Sequence, residues 1–206
     1  MNERRSGHLW WGIGAGTAMV VAAMYVGQES LPGRRLETLG RVPEFTLLER
    51  SGEPFGSADL QGRIWIANFI FTSCSGICPI MTGHMSELQN TLLQTGLSTV
   101  KLVSFSVDPE VDTPEVLSRF AQKYGAQPGL WYFLTGRNDL IQELAGQGFM
   151  LSAIVGVDPP EPIIHSNQFV LVDAARRIRK YYVGTDSTSV EQIMRDVKNL
   201  IAEVPW

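Results

Sequence analysis

The fold of this chain is decided by residues 64–79, which read IWIANFIFTSCSGICP. The first half is a near-continuous apolar run, as expected of a strand that is covered on both faces. Pro79 suits the first turn of a helix, and residues with helical spacing follow it. The stretch therefore predicts a buried strand, a turn and a helix, with Cys74 and Cys78 in the turn.

The cysteine pair can perform two kinds of chemistry. Cys74 and Cys78 are the only cysteines of the chain, and three residues separate them. Two thiols at a strand-to-helix turn can exchange electrons as a dithiol and a disulfide, or hold a soft metal ion. Redox pairs usually have two intervening residues. The wider loop here, with the unrestricted backbone of Gly76, lets two sulfurs converge on an ion. The positive end of the helix is expected to lower the pKa of Cys78 and so favour its thiolate.

Strand and helix signals alternate along the rest of the chain. Predicted strands cover residues 44–48, 63–71, 100–107, 131–134, 169–172 and 179–183. Predicted helices cover residues 79–94, 114–124, 138–147 and 187–202. This alternation predicts an α/β fold with helices on both faces of a central sheet. A cysteine pair at the first turn from a buried strand into a helix indicates a thioredoxin-like sheet.

The N-terminal part of the chain predicts a single membrane anchor. Residues 9–26 are apolar and contain no Lys, Arg, Asp or Glu, and about eighteen such residues reach the lower limit for crossing a bilayer. Two arginines precede them, which places residues 1–8 in the cytoplasm. The prediction is a transmembrane helix at 9–26, a linker at 27–41 and a soluble domain at 42–206 in the periplasm, anchored in the inner membrane of a bacterium. A cleaved signal peptide is the alternative.

The charge balance argues against nucleic acid as a partner. The formal net charge is −4, and the chain has no long basic run. The densest basic cluster, residues 176–180, is interpreted as a solvated turn and strand start rather than a docking patch.

Three histidines could complete a metal site with the two thiols. His8 flanks the predicted anchor, and His84 is rotated away from the cysteine face of the helix. His165 precedes the strand at 169–172, and in a thioredoxin-like sheet the loop that enters this strand runs beside the cysteine loop. Two sulfurs and one imidazole suit Cu(I), whereas Cu(II) would take a further weak ligand and zinc a fourth. Met81 and Met85 are expected to fill the core instead.

Four motifs together resemble the Sco/SenC family. They are residues 72–79, the run SVDPEVDTP at 106–114, residues 131–136 and His165-Ser166. The resemblance covers about residues 42–203 and implies a membrane-anchored, thioredoxin-fold copper protein that helps to assemble cytochrome c oxidase. It favours a metallochaperone over an enzyme.

Family roles carried onto this sequence make Cys74, Cys78 and His165 the ligands of one copper ion, as Cu(I), Cu(II) or both. The resemblance also implies delivery of copper to the two-copper site of oxidase subunit II, or reduction of the cysteines of that site. An upstream copper donor and a thiol reductant would be further partners. Within the cysteine loop the chain departs from the family, which often has a proline after the first cysteine and an acidic residue nearby, by carrying Ser-Gly-Ile at 75–77.

Two alternatives remain open at this level. The first is a thiol-disulfide oxidoreductase or peroxidase that uses Cys74 and Cys78, and the second is a passive anchored scaffold. A redox thioredoxin normally has a cis-proline facing its cysteine pair, and the corresponding position here carries Ile164-His165. This favours metal binding. Asp108 is assigned a role in partner docking or loop ordering. Asp112 is assigned a role in capping the following helix, and Thr113 can also act as its cap.

Overall fold

A buried central strand organises the sheet. The computed structural model describes residues 35–151 and 166–203. Strand β4 (Trp65–Ile70) is buried at every position and lies between β5 (Lys101–Ser106), which is parallel to it, and β7 (Gln168–Val172), which is antiparallel. Both faces of this strand are covered, as the apolar run at residues 64–71 predicted.

The remaining described strands extend the same sheet in both directions. Its order is β1-β8-β7-β4-β5-β6-β2-β3, with β6 parallel to β5 and the outer strands antiparallel to their neighbours. The further strands are β1 (Gly40–Arg41), β2 (Thr46–Glu49), β3 (Pro54–Gly56), β6 (Trp131–Thr135) and β8 (Arg177–Val183).

Helices cover both faces of the sheet, as the alternating pattern predicted. The described helices are α1 (Cys78–Gln94), α2 (Pro114–Lys123), α3 (Asn138–Glu143), which continues into a π-helical turn (Leu144–Gly148), and α4 (Ser189–Glu203). Because strand side chains alternate, Ile66 and Ile70 pack beneath α1, α2 and α4, whereas Trp65 and Phe69 pack beneath the α3 segment. These two apolar layers form the core.

Most predicted elements are confirmed within a residue or two at each end. The short edge strands β1 and β3 were not expected, because two or three residues carry almost no periodic signal. The predicted helix at 138–147 is correct in place, but its second half adopts the wider π-helical geometry.

The basic cluster at 176–180 is not the solvated face that was expected. Arg179 is buried, and its guanidinium contacts Asp173 at 3.0 Å and Glu203 at 2.9 Å. It also donates to the carbonyl oxygens of Leu36 and Glu37. The compact unit starts at Leu36, whereas the sequence predicts that the soluble domain starts at Val42.

Two predicted features lie outside the described residues, namely the anchor at 9–26 and His165. In the described ranges, 35–151 and 166–203, none of the helices has the length and apolar character needed to cross a membrane.

The buried position of Arg179 leads to a prediction about the stability of the fold. Replacing it with alanine would remove the buried cation that lies between the carboxylates of Asp173 and Glu203. Asp173 would keep its contact with Arg177 at 2.7 Å, but breaking a buried ion pair costs about 3 kcal/mol or more. We expect the free energy of unfolding of Arg179→Ala, measured by urea denaturation, to fall by about this amount. The matched control is Arg137→Ala, whose ion pair with Asp139 is exposed and whose loss should leave the midpoint nearly unchanged. Equal urea midpoints for Arg179→Ala and Arg137→Ala would contradict the assignment of Arg179 to a stabilising buried ion pair.

Candidate metal and thiol site

The turn between β4 and α1 presents both cysteines at one edge of the sheet. The Cys74 amide donates to the Phe71 carbonyl at 3.3 Å, which closes the turn directly after the strand. Cys78 is the first residue of α1, with Pro79 next to it in the first turn. Both residues are free thiols, and Cys74 is half-buried whereas Cys78 is only 4% exposed.

The environment of Cys78 disfavours its thiolate, contrary to the sequence prediction. Burial raises the pKa of Cys78 to about 12, with a further contribution from the hydrogen bond between its thiol and that of Cys74. A backbone hydrogen bond from Phe71 acts in the opposite direction, and the negative charge of Asp112 adds to the increase. The helix N-terminus was expected to lower this pKa, but desolvation of the charged form has the larger effect.

Both free thiols lie on one turn, four residues apart, and Cys74 contributes to the raised pKa of Cys78, so the two side chains are neighbours. Such a pair can close a disulfide or bind one soft cation between its sulfurs, and both reactions require loss of the thiol protons. Cation binding compensates the charge that burial disfavours, because the ligand sulfurs are then paired with a positive ion.

A buried carboxylate ties the cysteine turn to the next strand. Asp112 is fully buried and accepts from the Thr72 amide at 3.1 Å, from the Thr72 hydroxyl at 2.5 Å and from the Ser106 hydroxyl at 2.6 Å. The cap of α2 is provided instead by Thr113, whose hydroxyl accepts from the Val116 amide at 3.4 Å. The capping role predicted for Asp112 was therefore wrong.

The arrangement around Asp112 follows from parallel pairing. The last residues of β4 and β5, Ile70 and Ser106, lie opposite each other, so the loops that follow them meet at the same edge. That rule, applied to the acidic run after the strand, could have placed Asp112 beside the cysteine turn. Sequence spacing alone did not distinguish it from a capping residue.

Asp108 orders the same loop through its backbone. Its carbonyl accepts from the Asp112 amide at 2.8 Å and from the Val111 amide at 3.2 Å, and its own amide donates to the Ser106 hydroxyl at 3.1 Å. These are backbone contacts, so the docking or loop-ordering role expected for Asp108 stays a prediction.

His84 and the two methionines of α1 serve packing. Nδ1 of His84 donates to the Gly184 carbonyl at 2.8 Å, which joins α1 to the end of β8. Met81 and Met85 are fully buried in the core, as expected. Gly184 lies close to Met81, since a Cβ added there would stand 2.8 Å from the Met81 methyl carbon.

His165 lies outside the described residues, but the chain that follows it does not. Ser166 is buried, and the Asn167 carbonyl accepts from the Gly184 amide at 2.6 Å. Since Gly184 contacts Met81 and His84, the entry to β7 packs against the cysteine helix. Over 35–151 and 166–203, His, Cys, Asp and Glu side chains form no group of three or more that could hold a metal ion.

Tyr124 is a neighbour of the cysteines that the sequence did not identify. Burial raises the pKa of its phenol, and negative charge on Cys78 and Cys74 raises it further. The carbonyl of Tyr124 accepts from the Ser86 hydroxyl at 3.0 Å, which fixes the end of α2 against α1.

Comparison with known proteins places this geometry in a family. The family model described as SCO1/SenC matches residues 35–202. A SCO1/SenC family lipoprotein from Bacillus anthracis is 37% identical, with a TM-score of 0.73, and the match covers 82% of this chain and 98% of that one. BsSco, a member of the Sco family of cytochrome c oxidase assembly proteins with a disulfide switch, is 36% identical, with a TM-score of 0.70 and coverage of 81% and 98%.

A more distant structure has the same fold. Copper-bound ScoI of Arabidopsis thaliana is 23% identical, with a TM-score of 0.66 over 79% of this chain and 99% of that one. The thioredoxin-like α/β fold predicted from the sequence is thereby confirmed. With a family model matching most of its length and two solved relatives above one-third identity, the chain belongs to the SCO1/SenC family.

Proposed function

We propose that this chain is a copper-binding assembly factor for cytochrome c oxidase, and that Cys74, Cys78 and His165 hold its copper. The observation that carries the proposal is the placement of two free thiols, Cys74 and Cys78, on the single turn that joins β4 to α1. Two neighbouring sulfurs suit Cu(I), a soft ion that thiolates select. BsSco is described as a member of a family of oxidase assembly proteins, and ScoI of Arabidopsis has been solved with copper bound.

His165 is proposed as the third ligand because of its place in the chain. It immediately precedes Ser166, and the segment from Ser166 into β7 packs against α1 through Asn167 and Gly184. An imidazole added to two thiolates gives the three-ligand set that Cu(I) accepts.

Client and location are further parts of the proposal. Copper would pass to the two-copper site of oxidase subunit II by exchange of thiolate ligands, after loading by an upstream donor. Residues 9–26 would anchor the domain in the inner membrane with the site in the periplasm, and a relative from B. anthracis is described as a lipoprotein. In an oxidising compartment a thiol reductant would keep the pair reduced.

Thiol-disulfide exchange is the second candidate, favoured by the unequal exposure of the two cysteines. The thiolate of half-buried Cys74 could attack a client disulfide and form a mixed disulfide, releasing one client thiol. Attack by Cys78 on Cys74 would then release the second client thiol and leave this chain oxidised. A thiol reductant would restore the pair.

The first prediction concerns copper stoichiometry. We expect the reduced protein, titrated with Cu(I) under anaerobic conditions against a competing chelator, to bind one tight equivalent. His165→Ala should weaken binding by about 10-fold or more, because one of three ligands is lost. The control is Glu87→Ala, a substitution at an exposed position of α1 that should leave the affinity within a few-fold. If His165→Ala bound Cu(I) as tightly as the wild type, His165 would be excluded as a ligand and thiol-disulfide exchange would be favoured.

A second prediction concerns pH. Because the pKa of Cys78 is about 12 without copper, this thiol is protonated between pH 6 and 8, and Cu(I) must displace its proton. Apparent Cu(I) affinity should therefore rise with pH, by about tenfold per pH unit from Cys78 alone. Cys78→Ser should lose that part of the slope. An affinity that does not change over this range would exclude Cys78 as a ligand.

A third prediction concerns thiol reactivity. The raised pKa leaves very little of Cys78 as thiolate at pH 8, and its side chain is buried. Limiting iodoacetamide should therefore modify Cys74 first, as read by fragment-ion mass spectrometry. Cys74→Ser should react slowly until it is unfolded in denaturant, whereas Cys78→Ser should react at the wild-type rate. Faster modification of Cys78 would contradict the burial assigned to it.

A further inference from the structure

We propose that Asp112 is a positioning residue for the cysteine pair, because its buried carboxylate holds the turn that carries Cys74. The proposal rests on the proposed function in that copper is taken as the ion the pair binds. It assigns no contact between Asp112 and copper.

The contacts of Asp112 come from both sides of the site. Thr72, two residues before Cys74, donates its amide and its hydroxyl to the carboxylate, at 3.1 and 2.5 Å. Ser106, the last residue of β5, donates its hydroxyl at 2.6 Å. All three donors are uncharged, and each binds a carboxylate oxygen. One side chain thus connects the cysteine turn to the end of the adjacent strand.

Burial makes this connection costly to replace. Asp112 is 0% exposed, and a carboxylate removed from water is tolerated only when hydrogen bonds satisfy its oxygens. An amide of the same shape would present an NH₂ group to donors that already point inward. Loss of the negative charge therefore replaces charge-assisted hydrogen bonds with weaker neutral ones, and the hydroxyl that faces the NH₂ group must accept instead of donate.

The loop that carries Asp112 is itself fixed to the sheet. The Asp112 amide donates to the Asp108 carbonyl at 2.8 Å, and the Val107 amide donates to the Ile70 carbonyl at 2.8 Å. The carboxylate is therefore anchored to the paired ends of β4 and β5. Among the described residues, no strand pairs with the cysteine turn beyond Ile70. Thr72 joins the turn to this frame through the Asp112 carboxylate, in addition to the packing of Phe71 on the core.

A positioning role differs from a general contribution to stability in what it changes. If Asp112 only stabilised the fold, its variants would bind copper normally once folded. If it positions Cys74, folded variants should bind Cu(I) more weakly, because misplaced ligand sulfurs lose part of their affinity. Substitutions that disturb the residues orienting metal ligands typically cost 10–100-fold in affinity.

The test compares four variants of the full chain. Asp112→Asn removes the charge, Thr72→Val removes one donor and keeps the amide, and Thr72→Ser keeps both donors. Glu110→Gln is the matched control, since it removes a negative charge from the same loop at an exposed position. Thermal unfolding first establishes that each variant is folded. Cu(I) affinity is then measured by chelator competition, and hydrogen exchange of residues 71–78 is measured without copper.

We expect Asp112→Asn to lose at least 10-fold in Cu(I) affinity and to exchange faster over residues 71–78. Thr72→Val should show a smaller loss, whereas Thr72→Ser and Glu110→Gln should stay within about twofold of wild type. Should Asp112→Asn fail to fold, Thr72→Val against Thr72→Ser decides the question.

Two results separate this proposal from the proposed function. Wild-type affinity and exchange in folded Asp112→Asn would overturn the positioning role and leave the copper site intact. If the wild type bound no Cu(I) through its cysteines, the proposed function would fail. The exchange of residues 71–78 in Asp112→Asn would then still decide whether Asp112 holds the turn.

Discussion

The register of β4 against its neighbours is the constraint on which the site depends. Ile70 lies opposite Ser106, so the loops after β4 and β5 leave the sheet side by side. The cysteine turn and the acidic loop meet for this reason, and Thr72 can donate to Asp112. A shift of one residue would turn each apolar side chain of β4 to the opposite face of the sheet. The side chains would then not fit the packed core on that face. The packing of both faces thus fixes the relative position of two loops that carry polar groups.

Burial keeps the Cys78 thiol protonated in the absence of a metal ion. The helix N-terminus offers a positive potential to Cys78, yet desolvation keeps its thiol protonated. In a copper-binding protein this means that the metal competes with protons for the sulfurs, so binding and release both depend on pH. The half-buried position of Cys74 leaves one sulfur open to a donor, a client or an oxidant.

The chain enters the domain at the opposite end of the sheet from the cysteines. Trp65, at the start of β4, lies opposite Val172, which pairs with Ile178 near the start of β8. At that end Arg179 binds the carbonyls of Leu36 and Glu37 and the carboxylates of Asp173 and Glu203. The cysteine turn follows Ile70, at the other end of β4. The thiols therefore lie at the end of the sheet that is far from Leu36.

The sequence by itself determined the α/β class, the buried central strand, the helix that begins at the second cysteine and the identity of the thiol pair. These features depend on local apolar patterns and on residue types that act close to where they stand in the chain. Only the tertiary structure decided the protonation of Cys78, the burial of Arg179 and the partners of Asp112. Each of these depends on groups distant in sequence: the layers that exclude water from Cys78, the C-terminal helix that supplies Glu203, and the strand pairing that brings Thr72 to Asp112 across 40 positions. Spacing along one segment carries no information about such neighbours, because sheet register and helix packing bring them together.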